Sequence, residues 1–324
     1  METQSSSVVN WEHVDSLVDR RIDVGKNHIW PFGSSVPIDV RFLVLDRRRE
    51  IPLHRPDHLE VVVFESGELG YEVENKACVL GKNDVIIVGN HIHHRCLPVC
   101  SPGQQPRATV LSFLPEAVHS GVPLNDDLQY LMPFTLQGPT VSNVIRSNPS
   151  LSREIQEFSG KIRQALPIET IHSRLAIRTY LKMILLSLTN YCAEDRAASA
   201  AFNRQRDVIA RLEPAFEYIQ KHYDEPIRIA DVSRKCAASP CRFMSFFKES
   251  TGESFVEYLN RFRVAKAKDL LATTNRTISD IGLDTGFCNQ SYFGVVFRRI
   301  AGMTPLNYRK QAAGGAGGET LKLQ

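Results

Sequence analysis

Arg242 and Gln290 are side chains suited to reading a nucleic acid. Arginine can bond guanine, and glutamine adenine, through paired hydrogen bonds that each discriminate against a wrong base by about 1–3 kcal/mol. Each residue stands at the start of a Phe-x-x-x-Phe segment, Phe243 to Phe247 in one case and Phe293 to Phe297 in the other. With Phe243, Phe246 and Phe247 on an inner helical face, Cys241, Arg242 and Ser245 point outward as base readers. Gln290 and Ser291 occupy the N-terminal end of the second helix, the end that enters a major groove. Lys248, Arg298 and Arg299 lie further along and suit backbone phosphates, which fix register without carrying sequence information.

The elements that must position these residues are written twice. Phe243, Phe247, Gly252 and Tyr258 recur as Phe293, Phe297, Gly302 and Tyr308, each displaced by 50 residues. Upstream the displacement is 49, because Asp231-Val232 returns as Asp280-Ile281, so one copy carries an extra residue in its turn. A repeat of this length is two copies of one supersecondary unit. Each copy reads as a short amphipathic helix, a break and a second helix, the layout of a helix-turn-helix. In the first, Ile229 to Cys236 supports, Ser239 caps the second helix and Pro240 sits in its first turn, where a missing N–H costs nothing. In the second, Ile278 to Phe287 supports, Gly286 supplies the positive φ of the turn and Asn289 caps. Two such units place their reading helices about one duplex turn apart, roughly 34 Å. A plain helical bundle accounts for the phenylalanines. It does not account for the duplication, the two polar helix starts and the basic helix ends together.

Charge follows the same division. Residues 207–310 carry 16 Lys and Arg against 12 Asp and Glu, whereas residues 1–206 carry 22 against 23. The slight positive excess therefore sits on the repeat, as contact with phosphates requires. The chain of 324 residues is long enough for two cores. It shows no bilayer-length apolar run, and its opening residues lack the basic-then-apolar pattern of a secretory signal. Its seven cysteines (78, 96, 100, 192, 236, 241 and 288) have no framework spacing. A reducing, cytoplasmic location without membrane attachment is the expectation.

From Val40 to about Leu114 short apolar runs (VRFLVL, LEVVVFE, LGYEVE, DVIIVG, ATVLSFL) alternate with turn residues, which predicts an antiparallel sandwich or small barrel. Residues 115–150, rich in Pro, Gly and Asn, read as a boundary. Residues 151–191 take up helical period, divided in two at Pro167. Leu151, Ile155, Phe158 and Ile162 mark one stripe, and Ile171, Leu175, Leu181, Ile184, Leu185 and Leu188 a longer one. These helices cap the barrel, or part of the second stripe pairs with another copy of the chain. Glu194 to Arg206 reads as a linker, seven helices follow to Tyr308, and the Gly-rich end reads as a tail.

The run GFCNQSYFGVVFRRIAGMTPLNYRK, preceded by SFFKESTGESFVEYLNRFRVAKAKDLL, resembles the signature of AraC/XylS-type transcription regulators over about residues 207–310. The resemblance implies sequence-specific binding of double-stranded operator or promoter DNA through two helix-turn-helix units joined by a long central helix, here Phe255 to Ala272. RNA polymerase is a further partner it brings in view. In that family the second reading helix often carries a Ser-Arg pair where this chain has Gly294-Val295, and Ser245 is the equivalent position in the first. Gly294 and Val295 are thus base-facing positions without a guanine-reading arginine.

The segments LHRPDHLEVVVFESGELGY and GKNDVIIVGNHIHHRC resemble the cupin-like effector domain that precedes many such regulators. Aligned on the coordination pattern of metal-binding cupins, His54, Glu60 and His94 fall at ligand positions while Pro56 replaces the second histidine. His58 is a substitute. Imidazoles with one carboxylate on facing strands can hold a divalent transition metal. Cys96 and Cys100 with His91, His93 and His94 offer a thiolate-containing alternative. The same histidines equally suit an organic effector in the mouth of a barrel, which is the preferred expectation.

The sequence therefore predicts a multi-domain β + α chain. Residues 1–118 form a cupin-like β-barrel for a small-molecule effector, and 119–206 a helical linker and homodimerisation segment. Residues 207–311 form an all-α DNA-binding domain with two helix-turn-helix units, and 312–324 a tail. No catalytic residue and no resident cofactor is assigned. The alternative is a metal-dependent cupin enzyme, a dioxygenase or isomerase, with an appended DNA-binding domain. Pro56 counts against it.

Overall fold

The computed structural model describes residues 11–13, 26–28, 30–32, 36–73, 75–90, 92–99, 103–118, 125–136, 142–196, 198–251 and 253–315. It divides into two compact units, one of residues 1–119 with 129–204 and one of 120–128 with 205–324.

The first unit is built on two sheets. Strands β1 (Glu12–His13), β3 (Ile38–Val44), β10 (Arg107–Phe113), β5 (Leu59–Ser66), β8 (Val85–Val88) and β11 (Val144–Ile145) form one in that order. Strands β2 (Asn27–His28), β4 (Ile51–Pro56), β9 (His94–Leu97), β6 (Leu69–Val73) and β7 (Lys76–Leu80) form the other. Strands β5 and β8 of the six-stranded sheet are buried on both faces, which is why they read as near-continuous apolar runs. Along β5, Val61 and Val63 join the helix-side core while Val62 and Phe64 face the other sheet; along β8, Val85 and Ile87 do the first and Ile86 and Val88 the second.

Helices α2 (Pro149–Ala165) and α3 (Ile171–Glu194) cover the outer face of that sheet. Asn148 caps α2, accepting from the Leu151 N–H at 3.1 Å, and Thr170 with Ser173 forms a capping box on α3. On α3, Ile177, Leu181, Ile184, Leu185 and Leu188 are buried in this core. Ile171 and Leu175, placed by the sequence in the same stripe, are instead 61% and 54% exposed. They continue with exposed Met183 and Leu186 along the opposite side of the helix.

Two segments carry more structure than their composition suggested. Within 115–150 the chain forms a short 3-10 turn (Pro115–Ala117) and α1 (Asn125–Thr135), then returns as β11 to pair antiparallel with β8. The expected linker at 194–206 is helical from Ser199, where α4 (Ser199–His222) begins. Ala and Arg are strong helix formers, and Ala198 and Phe202, buried four residues apart, begin an apolar row that Ile209, Leu212, Phe216 and Ile219 continue along α4.

The second unit holds the C-terminal part of α4, then α5 (Ile229–Lys235), α6 (Pro240–Thr251), α7 (Phe255–Thr273), α8 (Ile278–Asp284), α9 (Gln290–Ala301) and α10 (Pro305–Gly315). Each helix pair packs on α7 through an aromatic cluster. Phe247 lies 5.5 Å from Phe255 and 5.2 Å from Tyr258 between ring centroids, and Phe293 and Phe297 join Val264, Ala267 and Leu271 in the matching core. A Ser254–Glu257 capping box starts α7, and Gly302, at φ 72°, ends α9 in the left-handed conformation that favours glycine.

Candidate nucleic-acid interface and effector cavity

The two helix-turn-helix units match down to backbone hydrogen bonds. In the first turn Ala237 N–H donates to Arg234 O and Ala238 N–H to Ser233 O; in the second, Gly286 N–H donates to Leu283 O and Phe287 N–H to Gly282 O. The residue at the corner has positive φ in both, Ala237 at 49° and Gly286 at 86°. The extra residue falls after this corner in the second copy, where Phe287 is buried with its ring centroid 5.1 Å from that of Phe293, the planes tilted by 48°. Gly282 is tightly packed against that ring, since an added Cβ there would lie 2.8 Å from Phe293 Cδ1.

The caps form as the sequence predicts. Ser239 Oγ accepts from Arg242 N–H at 3.4 Å, and Asn289 Oδ1 accepts from Tyr292 N–H at 2.8 Å. Both helix starts therefore stay unburied and polar. Cys241, Arg242, Ser245 and Lys248 on α6 are exposed, as are Gln290, Ser291, Arg298 and Arg299 on α9. Val295 is 68% exposed, and Gly294 is half-buried with nothing within 4 Å of where a Cβ would sit. The pair thus leaves a shallow, uncharged area on α9 between its polar start and basic end.

Two details depart from expectation. Phe246 is only half-buried, because it lies under the Arg242 guanidinium, 5.0 Å from its ring centroid, instead of joining the core. Ser245 Oγ already donates to Glu249 Oε1 at 2.7 Å. Gly252, part of the repeat, lies outside the described residues.

In the first unit a cavity of about 110 Å³ opens between the two sheets. Its lining is apolar at Leu43, Leu45, Ile51, Val62, Phe64, Ile86, Val88 and Val110 and polar at His28, Arg41, His54, Glu60, Tyr71, His94, Cys96 and Ser112. Strand alternation explains Glu60, which shares its face with Val62 and Phe64 and is paired to Val88 and Ser112 on the neighbouring strands. His54 and His94 are paired across the opposite sheet, with rings 4.3 Å apart. His58, in the turn from β4 to β5, is fully buried between Asp57 Oδ1 at 2.8 Å from its Nδ1 and Glu60 Oε1 at 2.7 Å from its Nε2. The four predicted residues, His54, His58, Glu60 and His94, are therefore brought together. In the thiolate alternative, Cys96 lines the cavity, and His91 and Cys100 lie outside the described residues.

Sequence reasoning missed His28. Strand β2 pairs parallel with β4 and sets His28 directly beside Pro56. Its ring lies 5.2 Å from that of His54 and 5.3 Å from that of His58, and neither of its ring nitrogens has a hydrogen-bond partner among the described residues. The buried Tyr71 hydroxyl is likewise unpartnered among them. One donor atom from each of His28, His58 and Glu60 lies within 4.8 Å of the other two.

Electrostatics sort these groups. Burial lowers the pKa of His28 to about 4, with the charge of Glu60 only partly offsetting it, and burial with the neighbouring His54 lowers that of His94 to about 4. Both imidazoles are neutral near pH 7. Burial also opposes charge on His58, but hydrogen bonds to Asp57 and Glu60 overcome it and raise its pKa. Burial by itself would raise Glu60; the His58 hydrogen bond and surrounding imidazoles pull it well below the carboxylate range instead. Burial pushes the Cys96 thiol up to about 12, so it is a neutral thiol in the cavity wall.

Duplicated helix pairs with exposed polar starts, joined by a central helix, define a double helix-turn-helix protein. A family profile described as "Helix-turn-helix domain" matches residues 232–311. The regulatory protein SoxS of Salmonella typhimurium is 35% identical over 98 residues, 30% of this chain and 92% of SoxS. The HTH-type transcriptional activator RhaS of Klebsiella pneumoniae is 25% identical over 268 residues, 80% of this chain and 87% of RhaS. The bifunctional transcriptional activator/DNA repair enzyme AdaA of Bacillus subtilis is 34% identical over 96 residues, 30% of this chain and 46% of AdaA. The chain belongs to the AraC/XylS family of transcription regulators. It spans 46%, 34% and 60% of the first three curated relatives it matches. Among the described residues no helix is long and apolar enough to cross a membrane.

Proposed function

We propose that this protein is a sequence-specific, DNA-binding transcription regulator whose action is modulated by a small molecule held in the cavity of its first unit. The observation that carries the reading is the pair of backbone-matched helix-turn-helix units, each with an exposed polar helix start and a basic residue further along. Arg242 and Gln290 read bases, Cys241, Ser245 and Ser291 flank them, and Gly294 and Val295 offer apolar contact where relatives of the family read guanine. Lys248, Arg298 and Arg299 meet phosphates.

An effector that fits one arrangement of the sensing unit better than another shifts the population toward it and so changes DNA occupancy. The cavity, mostly apolar with a cluster of convergent polar groups, has the form of a small-molecule site. The protein acts in the cytoplasm as a homodimer, with the exposed row Ile171, Leu175, Met183 and Leu186 on α3 as the surface a second copy covers. RNA polymerase is a partner if regulation is positive. No catalytic role is assigned to any residue. The His–Glu cluster keeps one rival in view, a metal-dependent cupin enzyme, which turnover of a substrate panel by the metal-loaded chain would favour.

Selection of bound duplexes from a random pool with the purified chain tests the reading. A recovered motif with paired elements about one helical turn apart supports it, and an unenriched pool opposes it.

A further inference from the structure

Pro56 occupies the position at which the cupin resemblance asks for a second histidine, and its side chain offers no donor. The fold supplies one from elsewhere. Residues directly paired on neighbouring strands project to the same face of the sheet, so the β2–β4 register puts the His28 imidazole on the side Pro56 faces. From there it reaches the cluster, within 4.8 Å of His58 and Glu60 donor atoms.

The other imidazoles are already oriented as metal ligands are. His54 Nδ1 is hydrogen-bonded to Pro52 O at 2.8 Å, His94 Nδ1 to Ile92 O at 3.1 Å and His58 Nδ1 to Asp57 Oδ1 at 2.8 Å. In His54 and His94 a carbonyl acceptor on Nδ1 fixes the tautomer and leaves the Nε2 lone pair for a metal, the usual outer-shell arrangement. His58, bonded to a carboxylate through each ring nitrogen, must release its Nε2 proton when a metal takes the place of the Glu60 bond. Nε2 of His58 lies 2.7 Å from one Glu60 oxygen and Nε2 of His94 lies 3.6 Å from the other. His28, buried with both ring nitrogens unpartnered among the described residues, completes the set. A buried imidazole with no partner is costly unless something binds it.

We propose that His28, His58 and Glu60 hold a divalent transition metal of the zinc class, with His94, whose Nε2 lies 3.6 Å from Glu60 Oε2, as a fourth donor, and that the β2 strand thereby replaces the ligand lost at Pro56. Two imidazoles and a carboxylate are a borderline donor set suited to such ions. The inference rests on reading this cavity as a ligand site. It makes β2 part of that site, so the ion also ties β2 to the sheet.

The test uses the full chain, freed of metal with a chelator and titrated with Co²⁺ or Zn²⁺ against a chromophoric competitor, with metal content measured by mass spectrometry. One ion per chain is expected. His28→Ala and His58→Ala should each weaken binding at least about tenfold, while His172→Ala, an exposed imidazole on α3 outside the cavity, leaves it within about twofold. In case alanine at position 28 impairs folding, His28→Cys keeps a donor there, and its Co²⁺ complex should gain the thiolate charge-transfer absorption that the unaltered chain lacks. Absence of stoichiometric metal, full affinity in His28→Ala, or no thiolate band in His28→Cys overturns the proposal. A chain that takes up no metal yet binds an organic effector in the cavity overturns the metal proposal and leaves the regulatory reading intact.

Discussion

Ala237 and Gly286 stand at the same corner of two superimposable turns, both with positive φ, yet only one of them is glycine. The neighbours explain the difference. A Cβ on Gly286 would come within 2.2 Å of the Tyr223 carbonyl oxygen and 2.8 Å of Arg263 Nε. Arg263, buried on α7, donates to that carbonyl at 2.7 Å and to Glu225 O at 2.7 Å, so the oxygen cannot move away cheaply.

Gly286→Ala is therefore expected to destabilise the DNA-binding unit by more than about 2 kcal/mol, the left-handed penalty of about 1–2 kcal/mol being increased by the clash. Ala237→Gly at the matching corner should change stability by no more than about 1 kcal/mol, and in the stabilising direction. Urea unfolding of the two variants checks both, and equal losses would show that the corners are not distinguished by Arg263.

Arg298→Ala should weaken binding to any duplex and reduce the slope of log affinity against log salt by about 1, since one phosphate contact releases about one counterion. Affinities measured at several salt concentrations give the slope. An unchanged slope would remove Arg298 from the phosphate contacts.

On the proposal that this face of α3 pairs with a second copy, Leu175→Lys with Ile171→Lys should leave the chain monomeric at micromolar concentration where the unaltered chain is dimeric, with little loss of monomer stability, because both side chains are already more than half exposed. Sedimentation equilibrium reads the mass. A dimer of unaltered affinity in the double variant would place the interface elsewhere.

Tyr71→Phe should leave the stability of the sensing unit within about 0.5 kcal/mol of the unaltered chain, because the hydroxyl it removes has no partner among the described residues. If the hydroxyl meets the effector, effector affinity should fall by the worth of one hydrogen bond, about 0.5–1.5 kcal/mol. Thermal unfolding and effector titration separate the two effects. A large loss of stability would mean the hydroxyl is already bonded.

The DNA-reading half was legible because its evidence is local and repeated: two Phe-x-x-x-Phe faces, two caps and a glycine corner lie within reach of a helical period. Phe246 escaped because a ring at the edge of a face can turn to meet Arg242. The β-sheet unit was legible only in outline. Strand β7, reading Lys-Ala-Cys-Val-Leu with most of its residues exposed, carries little hydrophobic pattern, and strands β4 and β9 are interrupted by histidines and arginines. His28 belongs to no motif, since its role comes from a parallel pairing between segments that are 28 residues apart along the chain, His28 against Pro56. On α3 nearly every turn is apolar on more than one side. Sequence period alone could not tell that Leu181 faces the sheet while Leu175 faces away.

Affinity for a selected cognate duplex and for a scrambled one, compared among the unaltered chain, Arg242→Ala and Gln290→Ala, tests most directly whether the two helix starts read DNA. Each substitution should weaken cognate binding by about 1–3 kcal/mol and scrambled binding far less. Equal losses on both duplexes would contradict it.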